Sequence, residues 1–116
     1  MRDLFIVEKN LKKELEEIEN EGGILSQKLF LLKQEIQYIF LKIKTSDNIE
    51  VANPYFNLLQ KIQFTLSSLV YKDNLGLPDI FFWFIKDFDR LDDLELRNYI
   101  FRKIKNDEYF FGQQLD

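Results

Sequence analysis

The sequence predicts an all-α protein, a four- or five-helix bundle whose N-terminal part is a heptad-patterned helix or αα-hairpin. Three observations carry this. Leu and Ile recur at alternating four- and three-residue spacing through the first 44 residues. The later segments repeat that spacing behind residues that start helices. No stretch reads as a strand, since Ile49-Glu50-Val51 is too short to carry a sheet. At 116 residues the chain is one domain's worth, and its organisation reads as a single helical domain over 1–116. That domain comprises a heptad arm or hairpin at 3–44, three further helices within 54–105 and an aromatic tail at 106–116.

The first element is the most strongly patterned. Leu4, Leu11, Ile18, Leu25, Leu32 and Ile39 take one seam position, and Leu15, Leu29, Ile36 and Ile43 take the other, interrupted only by Glu8 and Gly22. Two adjacent glycines inside a helix cost about 2 kcal/mol relative to alanine, and Asn20-Glu21-Gly22-Gly23 resembles a helix end. The heptad phase nevertheless runs through the glycines. Two readings therefore stand: a break or sharp kink, as in a hairpin of 3–21 and 25–44, or one continuous helix of about 60 Å at 1.5 Å per residue. Residues 8–21 carry Glu and Lys around a thin seam, whereas 24–43 add Ile24, Phe30, Leu31, Tyr38, Phe40 and Leu41 off it. A helix apolar on more than one stripe is buried on more than one side, so the second stretch reads as the central core helix.

Thr45-Ser46-Asp47-Asn48 is a loop by composition, with Asp47 and Glu50 at capping-box spacing. Asn53-Pro54 reads as the start of the next helix, with Asn as N-cap and Pro at the first helical position. It continues to Tyr71 on the stripe Tyr55, Leu59, Ile62, Leu66 and Leu69. Pro78-Asp79 opens a short helix to residue 88. Asp92 as N-cap with Glu95 three residues on opens the last, which ends near Lys105. Arg102, Lys103 and Lys105 in its final turn complement the helix dipole.

Composition excludes much chemistry. With no Cys and no His there is no disulfide, thiolate nucleophile, Cys-based zinc site or imidazole base. The longest apolar run, Ile80 to Ile85, is far short of the roughly 20 residues of a spanning helix. Acid and base near the N-terminus do not match a secretory h-region, so the chain reads as cytoplasmic and off the membrane. A net charge of −4, spread evenly along the chain, argues against nucleic-acid binding through phosphates.

Candidate sites stand beside plainer readings. Asp87, Asp89, Asp92, Asp93 and Glu95 could bind a hard cation, but Leu91 and Leu94 interrupt them and helix capping explains three of them, so no metal and no cofactor is expected. Arg97, Arg102, Lys103 and Lys105 spread around their helix and form no stripe for phosphates. No acid pair or Gly-rich loop points to catalysis, so the chain is read as a non-enzyme. The aromatics carry more weight: ten lie between Phe81 and Phe111. They either fill the core or dock into a partner. Phe82, Trp83, Phe84, Phe110 and Phe111 are the candidate partner-binding residues. Leu4, Leu11, Leu15 and Ile18, on the thin charged arm, are the candidate self-association residues.

One further count bears on this. Ala52 is the lone alanine, against 18 Leu, 12 Ile and 18 aromatics. Helices without small residues meet through thick Leu, Ile and Phe faces, and a chain this short has little interior for them. The reading is thus an acidic, cytoplasmic protein-interaction module: an adaptor, assembly subunit or stoichiometric inhibitor. It would act by helix and aromatic docking on another protein, on its own copies as a homodimer or higher coiled-coil oligomer, or on both. The alternative is a helical small subunit of a nucleoprotein complex that touches DNA or RNA.

Overall fold

A computed structural model describes residues 4–21, 26–71 and 76–111, with the side chains of 18–21 and 26–28 left out of the description. The described residues form five helices: α1 (Leu4–Glu21), α2 (Ser26–Lys44), α3 (Ile49–Tyr71), α4 (Asp79–Asp87) and α5 (Leu94–Lys105). The all-α bundle expected from the sequence is what forms.

The heptad seam closes inside one chain. Val7, Leu11 and Leu15 of α1 are buried with Leu29, Leu32, Ile36, Ile39 and Ile43 of α2 and with Phe56, Leu59, Ile62 and Leu66 of α3. Each of these helices packs against the other two. At the N-terminal end the inward position moves from Glu8 to Val7, because a carboxylate there would lose its hydration without a partner. A continuous rod of about 60 Å is excluded, since α1 lies against α2 and α3 and the longest dimension is 39 Å. The first element is therefore the hairpin; Gly22 and Gly23 themselves lie outside the described residues.

Two helix starts differ from the sequence reading. α3 begins at Ile49, five residues before Pro54, and is capped by Asn48, whose Oδ1 accepts the Val51 N–H at 2.9 Å. Pro54 forgoes only the bond to the carbonyl of Glu50, an exposed residue in the first turn where water can replace it. α5 is capped by Asp93, not Asp92. The Asp93 carboxylate accepts the N–H of Glu95 at 2.9 Å and of Leu96 at 3.4 Å. Asp93 N–H itself donates to Arg90 O, so the turn after α4 closes one residue later than the capping-box spacing implied.

The end of α5 shapes the tail. Asp107 is left-handed at φ 57°; its N–H donates to Ile104 O and the N–H of Glu108 to Lys103 O. This is a Schellman closure with Asp where Gly is usual. It turns the chain back, so that Tyr109 is buried and Phe111 packs on the core. Tyr109 and Phe111 complete a ring cluster with Phe40, Phe81, Phe84 and Phe88, at centroid separations of 4.8 to 6.2 Å. The cluster joins α2, α4 and the tail, and each such pair adds about 0.5–1.5 kcal/mol to its burial.

α5 is held to α3 by one buried cation. Arg97 Nε donates to Leu91 O, and its terminal nitrogens donate to Asn53 Oδ1 (3.3 Å), Asn57 Oδ1 (2.8 Å) and Gln60 Oε1 (3.2 Å). The guanidinium also lies 5.8 Å from the Phe56 ring. Burial lowers its pKa, and Asp92 offsets part of that. Gln63, also buried, donates to Ile85 O at 3.1 Å and so satisfies a carbonyl near the end of α4. The lone alanine, Ala52, is fully enclosed at the start of α3.

Candidate docking surface

A surface helix of an ordinary globular protein shows charge to water. The outer face of α2 does not. Its exposed positions Phe30, Gln34, Gln37, Leu41 and Lys44 follow at four-three-four-three spacing, and the first charge comes only at Lys44. Phe30 is 58% exposed and Leu41 54%, with Leu31 beside them. Lys44 is in turn tied to Asp107 by an ion pair, which fixes the end of α2 to the turn after α5.

The stripe runs into a groove of about 280 Å³ between α2 and the folded-back tail. Gln37, Phe40, Leu41 and Lys44 form one wall, and Ile104, Asp107 and Tyr109 to Phe111 form the other. Phe110 stands on the rim, 59% exposed, between a buried Tyr109 and a core-packed Phe111. Tyr109 anchors that wall. Its hydroxyl donates to Asp87 Oδ2 at 3.3 Å, and desolvation, reinforced by the Asp87 charge and hydrogen bond, pushes its pKa far above that of a free tyrosine. An apolar, charge-poor strip with aromatics on a pre-formed rim has the composition of an interface core. It offers burial and two glutamine amides, with the Lys44–Asp107 ion pair closing one end of the groove.

The sequence-selected aromatics are distributed unevenly. Phe84 is fully buried and stacked on Phe88 at 4.8 Å. Phe82 and Trp83 are half-buried on α4, with Lys86 Nζ 5.5 Å from the Trp83 ring. Phe111 is half-buried, and Phe110 faces outward. Structure brings Phe110 and Phe111 to the groove, while Phe82, Trp83 and Phe84 line no part of it. Of the residues selected for self-association, Leu11 and Leu15 are buried against their own chain and Leu4 is half-buried. The Ile18 side chain lies outside the described residues.

The apolar pattern on several sides of α2 predicts Phe30, Leu31 and Leu41 in the interior, but the structure leaves all three exposed. One side of α2 stays open because α1, α3 and α5 cover the rest of it. The signal that marks this stripe was present at the sequence level: four residues at helical spacing, all uncharged, with two glutamines between Phe30 and Leu41. Among the described residues no helix is long and apolar enough to cross a membrane, and no group of carboxylates could hold a metal ion.

Comparison with known families gives one match. The family model described as Immunity protein CdiI-like aligns with residues 6–106. No curated protein and no solved structure matches the chain.

Proposed function

The chain belongs to the CdiI-like immunity protein family, and on that premise we propose that it is a stoichiometric inhibitor that neutralises a partner toxin by docking onto it. The observation that carries the mode of action is the uncharged outer stripe of α2 continuing into Phe110. Phe30, Leu41 and Phe110 are the anchors, Leu31 widens the strip, and Gln34 and Gln37 supply amide donors and acceptors that fix register. Inhibition by docking requires no chemistry of its own: the complex need only outlast the encounter of toxin and target. A second copy of the chain is not needed, since Leu11 and Leu15 are already covered within the monomer.

The test uses the captured toxin. The immobilised chain retrieves it from a lysate of the source organism, and the complex is reconstituted from purified parts. A 1:1 complex by light scattering and loss of toxin activity at equimolar inhibitor are expected. Leu41→Asp and Phe110→Ala should each weaken binding at least tenfold while leaving the helical circular dichroism unchanged. Undiminished affinity of the doubly substituted, folded chain would remove the α2 strip from the mechanism.

A further inference from the structure

A second face differs from the first in charge. α1 shows Phe5, Lys9, Lys12 and Glu16 to water at four-three-four spacing, and α3 shows Asn57, Lys61, Phe64 and Tyr71. The two helices are in contact, and Phe5, Glu8, Lys9, Lys12 and Lys61 together line a shallow groove of about 380 Å³ between them. Because α1, α2 and α3 pack pairwise, a groove between α1 and α3 faces away from α2.

Phe5 is 71% and Phe64 73% exposed, the two most exposed large apolar side chains among the described residues. Phe64 stands one turn along α3 from Lys61. Lys9, Lys12 and Lys61 form no ion pair among the described residues, so three ammonium groups meet one carboxylate, Glu8, in this groove, with Glu16 one turn beyond Lys12 on the same stripe. The chain as a whole carries −4. A positive, aromatic-flanked groove on a negative protein is a local inversion of charge, and it sits apart from the uncharged α2 strip.

We infer that the α1/α3 groove is a second docking site, for an acidic segment of a protein that carries apolar side chains between its carboxylates. The phenyl rings at Phe5 and Phe64 receive the apolar side chains, and Lys9, Lys12 and Lys61 receive the carboxylates. An acidic protein segment fits better than an extended polyanion. Nucleic acid or an anionic membrane would also meet the net negative charge of the rest of this small molecule, within the reach of about one Debye length, ~8–10 Å. A short acidic segment meets only the groove. This site is independent of the toxin reading, because it uses none of the α2 or tail residues.

The experiment is an amide chemical-shift titration of the full chain with a 15-residue peptide of repeated Glu-Glu-Leu triplets, run beside polyglutamate, a 15-nucleotide single strand and anionic phospholipid vesicles. Shifts confined to 5–12 and 61–64 are expected, with affinity falling several-fold between 50 and 300 mM salt. Lys9→Gln with Lys12→Gln and Lys61→Gln should lower affinity at least tenfold, and Phe64→Ser should lower it without changing the salt slope. Leu41→Asp should leave peptide binding unchanged, which separates this site from the toxin strip. Equal binding by the triple Gln variant would overturn the inference. So would tighter binding to the oligonucleotide or vesicles, tight binding to polyglutamate that ignores Phe64, or no shift at millimolar peptide.

Discussion

Phe84 and Phe110 are both aromatic residues of the C-terminal third, yet their removal should have opposite consequences. Phe84 is fully enclosed, stacked on Phe88 at 4.8 Å and edge-on to Phe111 at 5.9 Å. Truncation leaves a cavity at the junction of α4, the tail and α2, and Phe→Ala at such a site costs about 3–5 kcal/mol. Phe110 is 59% exposed, and a surface substitution of that kind stays within about 0.5 kcal/mol. Urea unfolding can follow both, because Trp83 is the single tryptophan and sits half-buried on α4 beside Phe84. With a denaturant slope of about 2 kcal/mol per molar, Phe84→Ala should lower the midpoint by about 2 M and Phe110→Ala by no more than about 0.3 M. Toxin affinity should report the reverse order, provided Phe84→Ala is assayed under conditions where it is still folded. Loss of an aromatic anchor at an interface costs more than about 1 kcal/mol. The division into core and docking aromatics would be refuted by similar midpoint shifts in the two variants. It would equally be refuted by a loss under about 1 kcal/mol for Phe84→Ala.

Other expectations follow from the polar contacts. Arg97→Met keeps the volume but leaves Asn53, Asn57 and Gln60 without their shared donor; hydrogen bonds to a charged group are worth about 1.5–3 kcal/mol, so thermal or urea denaturation should show a loss of about 3 kcal/mol. Asp93→Ala removes the acceptor for Glu95 N and Leu96 N and should cost about 1 kcal/mol, whereas Asp92→Ala, which removes no cap, should cost much less. Tyr109 holds its proton in the folded state well above the unfolded pKa of about 10. Its contribution is therefore constant below about pH 10 and is lost as pH rises beyond that, when the unfolded chain ionises and the folded one does not. Urea midpoints measured from pH 8 to 11 should fall more steeply for the wild type than for Tyr109→Phe.

The balance between sequence and tertiary structure differs from element to element. Leu and Ile at four-three spacing identified α2, α3 and the seam of α1 because apolar periodicity is a property of the chain itself. Caps were harder. Asp92, Asp93 and Asn48, Asn53 offer the same chemistry at neighbouring positions, and which carboxylate or amide meets the free N–H groups depends on how the preceding turn closes. Phe30 and Leu41 against Phe40 shows the same limit for burial. All three are apolar on one helix, but only Phe40 faces the ring cluster built by α4 and the tail.

Sequence alone thus determined the class of the fold, a count of four or five helices, the absence of cysteine and histidine chemistry and the surplus of bulky apolar residues. It did not determine where that surplus goes. The Schellman turn at Asp107 returns Tyr109 and Phe111 to the core and leaves Phe110 outside, and the packing of α1, α3 and α5 leaves one strip of α2 open. Exposure is a relation between segments distant in the chain, so only the tertiary arrangement could separate the residues that hold this protein together from those it presents to a partner.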